Sequence, residues 1–226
     1  MSRLLTSAFL LLFLYGCASA SGTKVTTVST IFYSDDLDYG ASLIVLPAEL
    51  HRASSLEFAS KQRMLEQGFI RSGFKVASSM EEADYVAFVS YGIDNGTSES
   101  TSVPLFGQTG GGSTYTTGTV NSSSGSGTYS ASSYTMPTFG VVGSTSVTST
   151  TYKRNIAIDL IRLETLASEN PISVMEIRAV SRGRCGIIES VFSEMVYGIF
   201  SPDFPYENGV PTSRTESSPK VAPSNC

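Results

Sequence analysis

The sequence predicts an α/β (α+β) fold: a two-layer sandwich in which two helices pack on a small mixed sheet, in the order β-α-β-β-(insertion)-β-β-α. Three observations predict it. Asp84–Ile93 (DYVAFVSYGI) is a strand apolar on both faces, which needs cover on both. Residues 152–163 and 172–181 alternate apolar and polar side chains on either side of Asn170-Pro171, as two strands of a hairpin do. Residues 187–200 place Ile188, Val191, Phe192, Met195, Val196 and Ile199 at helical spacing, giving an apolar stripe that must lie against a sheet.

The chain has 226 residues, enough for one ordinary domain with additions. It opens with Met1-Ser2-Arg3 and an apolar run from Leu4 to Leu14, too short to cross a bilayer and of the length of a signal peptide. Leu14-Tyr15-Gly16-Cys17 follows at once. This resembles the lipobox of bacterial lipoproteins, with Tyr15 larger than is usual there. The resemblance implies cleavage between Gly16 and Cys17, a diacylglycerol thioether on Cys17, and acylation of the new amino terminus. Three chains would anchor permanently where one binds only marginally. Ala18, where an aspartate would retain such a protein at the inner membrane, implies lipid anchoring on the periplasmic face of the outer membrane. Ala18-Ser19-Ala20 also fits an ordinary cleavage site, which would release a soluble protein without Cys17.

The expected organisation is a signal peptide over 1–16, a tether over 17–30, one α/β domain over 31–205 carrying a low-complexity insertion at 96–151, and a disordered tail over 206–226. Residues 18–30 are mostly small and polar, as a tether is. Asp35, Asp36 and Asp38 raise a calcium reading, but no EF-hand pattern follows and a solvated turn is expected. Leu43–Pro47 reads as a buried strand stopped by proline. Ser54-x-x-Glu57 fits a capping box that opens the first helix, and Gly73 suits its C-terminal stop. Gly68, inside that helix, costs about 1 kcal/mol relative to alanine. Residues 74–77 read as a short strand and 80–83 as a turn.

The insertion holds 38 Gly, Ser or Thr among its 56 residues and Glu99 as its only charge. A flexible surface excursion is expected, with a long β-hairpin as the alternative its threonine content allows. The core is also similar to that of the lipoprotein forming the curli secretion channel, whose inserted hairpins build a membrane barrel. Here windows such as residues 114–120 lack an outward apolar row, and Pro104 and Pro137 interrupt, so a pore is not expected.

No cofactor, no metal and no enzyme activity are expected. His51 is the only histidine and no G-x-S-x-G elbow accompanies it, which leaves a hydrolase little to work with. Glu81 and Glu82 are adjacent, and Gly110–Gly112 lacks the lysine of a phosphate loop. A net charge of −5 with no basic block argues against nucleic acid. Arg178, Arg182 and Arg184 would share one face if their strand continued through them. They would then meet an anionic partner such as peptidoglycan or an envelope protein, or simply guard a sheet edge by charge. With Cys17 acylated, Cys185 and Cys226 either bridge, worth roughly 3–4 kcal/mol at best, or remain a buried and a free thiol.

The order of these motifs resembles a family of Gram-negative envelope lipoproteins catalogued as domain of unknown function 4136. The residues carrying the resemblance are the lipobox, the Leu43–Pro47 strand, Gly68-Phe69-x-x-x-Gly73-Phe74, Ala83-Asp84-Tyr85-Val86, the insertion, and Phe200-Ser201-Pro202-Asp203-Phe204-Pro205. The family has no assigned activity. The resemblance therefore implies fold and location, and the expected role is a non-enzymatic interaction or structural module of the envelope. An oligomeric assembly or secretion accessory that uses the insertion is the alternative.

Overall fold

Side-chain alternation, more than apolar runs, builds this protein. The computed structural model describes residues 23–218. Its elements are β1 (Thr23–Tyr33), β2 (Ser42–Pro47), α1 (Leu56–Arg71), β3 (Lys75–Val76), β4 (Tyr85–Ile93), β5 (Thr97–Ser122), β6 (Gly125–Arg162), β7 (Ser173–Gly183), α2 (Phe192–Ile199) and β8 (Thr212–Ser218). The strands form one mixed eight-stranded sheet in the order β3-β2-β4-β6-β7-β1-β8, with β5 pairing β6. β2 runs parallel to β3 and β4, while β1 is antiparallel to β7 and β8, and β6 to β4 and β7.

This overturns the expected two-layer sandwich on a small sheet: strand dominates, and three strands form beyond the five predicted, β1, β8 and, in the insertion expected to be a flexible excursion, β5 paired to β6 as the alternative long hairpin. β1 occupies much of the segment read as a tether. Its Val25, Thr27, Ser29 and Ile31 all point inward and are buried, so the period-2 signal was there but half of it was written in Thr and Ser. β8 lies in the segment read as a disordered tail. It is polar throughout and is held by backbone pairing to β1, from Thr23↔Ser218 to Ser29↔Thr212. Backbone pairing needs no apolar residues, which is why composition did not reveal it.

One face of the sheet carries Ile31, Leu43, Val45, Ala87, Val89, Ile156, Ile158, Leu160 and Ile177, all buried. Against them lie Phe58, Leu65 and Phe69 of α1 and Phe192, Met195, Val196 and Ile199 of α2. Each such side chain contributes about 1.5–3 kcal/mol on burial. Helix α1 starts one residue later than the capping box implied: Ser55 is the N-cap, its hydroxyl accepting from the Phe58 N–H at 3.4 Å. Gly73 has φ +100°, the left-handed conformation that ends the helix. Helix α2 is shorter than its periodic pattern, because Ile188–Ser190 form a 3₁₀ turn first.

The chain divides into two compact units. Among the described residues, one holds 23–97 together with 151–218; the other is Ser98–Thr150.

Candidate functional site: exposed surfaces and buried charge

The predicted site residues separate. Gly16, Cys17 and Cys226 lie outside the described residues. Cys185 is buried and disulfide-bonded, and its partner lies outside the described residues too. Arg178 and Arg182 share a face of β7, since the alternating residues Ile177, Ala179 and Ser181 are buried on the other. Arg184 is past the end of β7, which stops at Gly183, so the three-arginine face does not form. Arg178 is occupied by its own sheet: its guanidinium meets Asp159 at 2.6 Å and Glu176 at 3.2 Å. Arg182 stands opposite Lys153 in the β6–β7 register, a small cationic spot. His51 is exposed in a 3₁₀ turn, 3.8 Å from Glu49.

A charged cluster that sequence spacing did not reveal sits beneath α1. Lys61 is 3 % exposed, and its Nζ donates to Glu57 Oε1 at 2.8 Å and to Glu189 Oε1 at 3.1 Å. The ammonium also lies 4.8 Å from the ring centre of Tyr91 and 5.7 Å from that of Phe192. Tyr91 donates its hydroxyl to Glu57 at 3.0 Å. The hydrogen bond from Lys61 and then that from Tyr91 hold the Glu57 carboxyl below its ordinary range. Burial pulls Lys61 down, but its two carboxylates raise it above the usual lysine value. Every charge here has a partner, so the cluster ties α1 to the turn before α2. The i,i+4 spacing of Glu57 and Lys61 was the one available sign of it.

An open groove of about 560 Å³ is lined by Asp36, Asp38, Asp84, Tyr85, Arg162 and Glu164, among others. Arg162 pairs with Asp36 at 2.5 Å. Asp84 is held below the usual carboxylate range by the Ser42 backbone N–H and then by its hydroxyl, at 2.9 and 2.7 Å. Among the described residues no group of three or more His, Cys, Asp or Glu is placed to hold a metal ion. Asp36 is held by its ion pair to Arg162, and Asp38 accepts from the Gly40 N–H at 2.7 Å.

The sheet face away from the helices carries a second set of side chains. Ile44 lies beside Val86, Leu46 beside Phe88, and Val86 beside Ile161, by register. Further across are Val28 and Phe32, 42 % and 49 % exposed.

The Ser98–Thr150 unit is a two-stranded ribbon of β5 and the first part of β6. Hydroxyl pairs cross it: Ser98 with Thr150 at 2.9 Å, Ser100 with Thr148 at 3.4 Å, Thr109 with Thr138 at 3.3 Å. Gly111 and Gly112, at φ +83° and +112°, let the backbone pass close to Pro137 where a Cβ at 111 would collide. Large apolar side chains stand out in water, among them Phe106, Tyr115, Tyr134, Met136 and Phe139, each at least 70 % exposed. Leu105 and Phe106, and Val141 and Val142, are adjacent and exposed. Neighbours on a strand point to opposite faces, so both faces of the ribbon are partly apolar.

No helix among the described residues is long and apolar enough to cross a membrane. No family model matches the sequence, and no curated protein matches it. Two solved structures are similar at low scores. A PDZ domain protein from Parabacteroides distasonis aligns at a TM-score of 0.40 and 13% identity, over 94% of this chain and 42% of that one. A PelC dodecamer from Paraburkholderia phytofirmans aligns at a TM-score of 0.33 and 14% identity, over 80% of this chain and 96% of that one. The chain thus spans under half the length of the first of these.

Proposed function

We propose that this protein is a lipid-anchored periplasmic lipoprotein of the outer membrane whose folded part is a non-enzymatic interaction module of the envelope. The lipobox, the export signal and the motifs shared with the family of unknown function support the address. The observation that supports the role is the ribbon. A lone two-stranded ribbon is marginal in water, yet this one exposes twelve large apolar side chains, on the order of 1,000 Å² of apolar surface. Divided between the two faces, that is about 500 Å² a face, at the upper end of the largest patch a typical monomer leaves exposed. Such a surface gains stability by being covered.

The test is photo-crosslinking in cells. A photoreactive residue replaces Phe106 or Phe139 on the ribbon or, as a control, Ile70, which is exposed on α1. The reading expects discrete crosslinked envelope species from the ribbon positions only. An absence of adducts there, or identical adducts from Ile70, would refute it.

A second reading, an assembly accessory, draws on the ribbon's two long edges. They carry no charge besides Glu99, and uncharged edges readily accept further strands. Sister-chain adducts in the same experiment favour it.

A further inference from the structure

Strand β8 ends the sheet. Among the described residues it pairs with β1 on one side and with no strand on the other. A free edge presents a row of backbone donors and acceptors to any strand that approaches. Proteins guard such edges with proline, bulges or charged side chains, lysine above all. β8 has no proline and no lysine, its register to β1 runs without a shift over seven residues, and its two charges, Arg214 and Glu216, are of opposite sign.

Its sequence, T-S-R-T-E-S-S, is chemically symmetric about Thr215. An antiparallel second copy centred there opposes residues whose numbers mirror each other. Arg214 then faces Glu216 at two places, Ser213 faces Ser217 at two places, and Thr215 faces itself. Opposite charges and hydroxyl pairs are the cross-strand combinations that stabilise antiparallel pairing. The strand already uses one on its inner side, where the hydroxyls of Thr26 and Thr215 meet at 2.9 Å. Arg214 also pairs with Asp203 within the chain, and its five donors leave room for a second carboxylate. Beside this edge, Tyr197 of α2 is 47 % exposed and borders a shallow concavity of about 270 Å³ shared with Glu194, Glu216 and Ser217.

We propose that β8 is a self-pairing edge: two copies join β8 to β8, antiparallel, about a two-fold axis at Thr215, so that two sheets become one. Tyr197 and the concavity flank the seam. The occupant is a second copy because the charges complement themselves in that register. The inference is independent of the lipid anchor and of the ribbon.

The full-length chain, extracted in detergent, is measured by analytical ultracentrifugation. A dimer is expected. Glu216→Arg sets arginine against arginine at both places and is expected to raise the dimer dissociation constant about tenfold or more. Among the described residues Glu216 has no ion-pair partner within the chain, so this variant keeps its fold. Thr215→Cys is expected to yield a disulfide-linked dimer on mild oxidation, since facing residues in an antiparallel pair have Cα atoms about 4.5–5.5 Å apart. Ser213→Cys is not, because the two copies of that position lie about 13 Å apart along the strands. A monomer at all concentrations up to about 100 µM, an assembly whose mass ignores Glu216→Arg, or a Thr215→Cys chain that stays monomeric would each overturn the proposal.

Discussion

Gly68→Ala is a substitution for which helix propensity and packing predict opposite signs. Gly68 lies inside α1, and alanine there should add about 1 kcal/mol of helix stability. A Cβ at this position, however, would sit 2.8 Å from Cε2 and Cγ of Phe200, and closer still to Cδ2. Real carbon contacts begin near 3.5 Å, so the ring must move. It has little room: Phe200 is 3 % exposed, with ring centres 4.8 Å from Phe69 and 5.0 Å from Phe204. Overpacking of such a core costs about 1–3 kcal/mol, occasionally more. With the upper part of that range applying to a boxed ring, the net loss is about 2 kcal/mol after the helical gain. For a domain of this size that lowers Tm by about 4–8 °C. Urea unfolding followed by circular dichroism, with an unchanged m-value, measures it. The same substitution in a Phe200→Leu background should cost at least about 1 kcal/mol less, because the obstructing ring is gone. A Gly68→Ala protein as stable as the parent, or more stable, would refute the packing argument.

Three further outcomes follow from the buried charges and the thiols. Lys61→Met keeps an apolar stem against Tyr91 and Phe192 but removes the ammonium. Glu57 and Glu189 are about half exposed and can be solvated, so the expected loss is about 1–2 kcal/mol by urea unfolding, and a larger loss would mean those carboxylates are less accessible to water. Asp84 has its folded pKa lowered by Ser42, so its contribution is present above the ordinary carboxylate value and is lost as pH falls through the lowered one. Ser42→Ala should therefore flatten the fall of stability below about pH 4, and an unaltered acid limb in a pH series of melts would contradict the hydroxyl's role. A non-reducing peptide map should find Cys185 joined to Cys226, since an acylated Cys17 has no free sulfur, whereas Cys185 joined to Cys17 would remove the lipid.

The sequence made some parts of this fold plain and hid others for physical reasons. β2, β4 and the β6–β7 hairpin announce themselves because Leu43, Val45, Ala87, Ile156, Ile158 and Ile177 alternate or run together in apolar character. β1 hides because Thr27 and Ser29 hold inward positions, buried and without a side-chain hydrogen bond. β8 hides because an edge strand needs only a neighbour to pair with. The two readings of the insertion differed in whether Ser and Thr would order, and cross-strand hydroxyl pairs are what periodicity of hydrophobicity cannot register. Of the surfaces, the arginine face depended on β7 running through Arg184, and the chain leaves the strand at Gly183. The Lys61 cluster depends on Glu189, 128 residues away, which no local pattern conveys. The symmetry of β8 was legible, but it means nothing until the strand is known to be an edge.

The functional reading turns on the folded part being held at a bilayer by Cys17. Intact-mass analysis of the protein extracted from membranes measures this without intermediaries. The account predicts a chain beginning at Cys17 with the mass of a diacylglycerol and an N-terminal acyl group added. A chain beginning at Ser21 with no acyl mass, recovered from the soluble fraction, would contradict it.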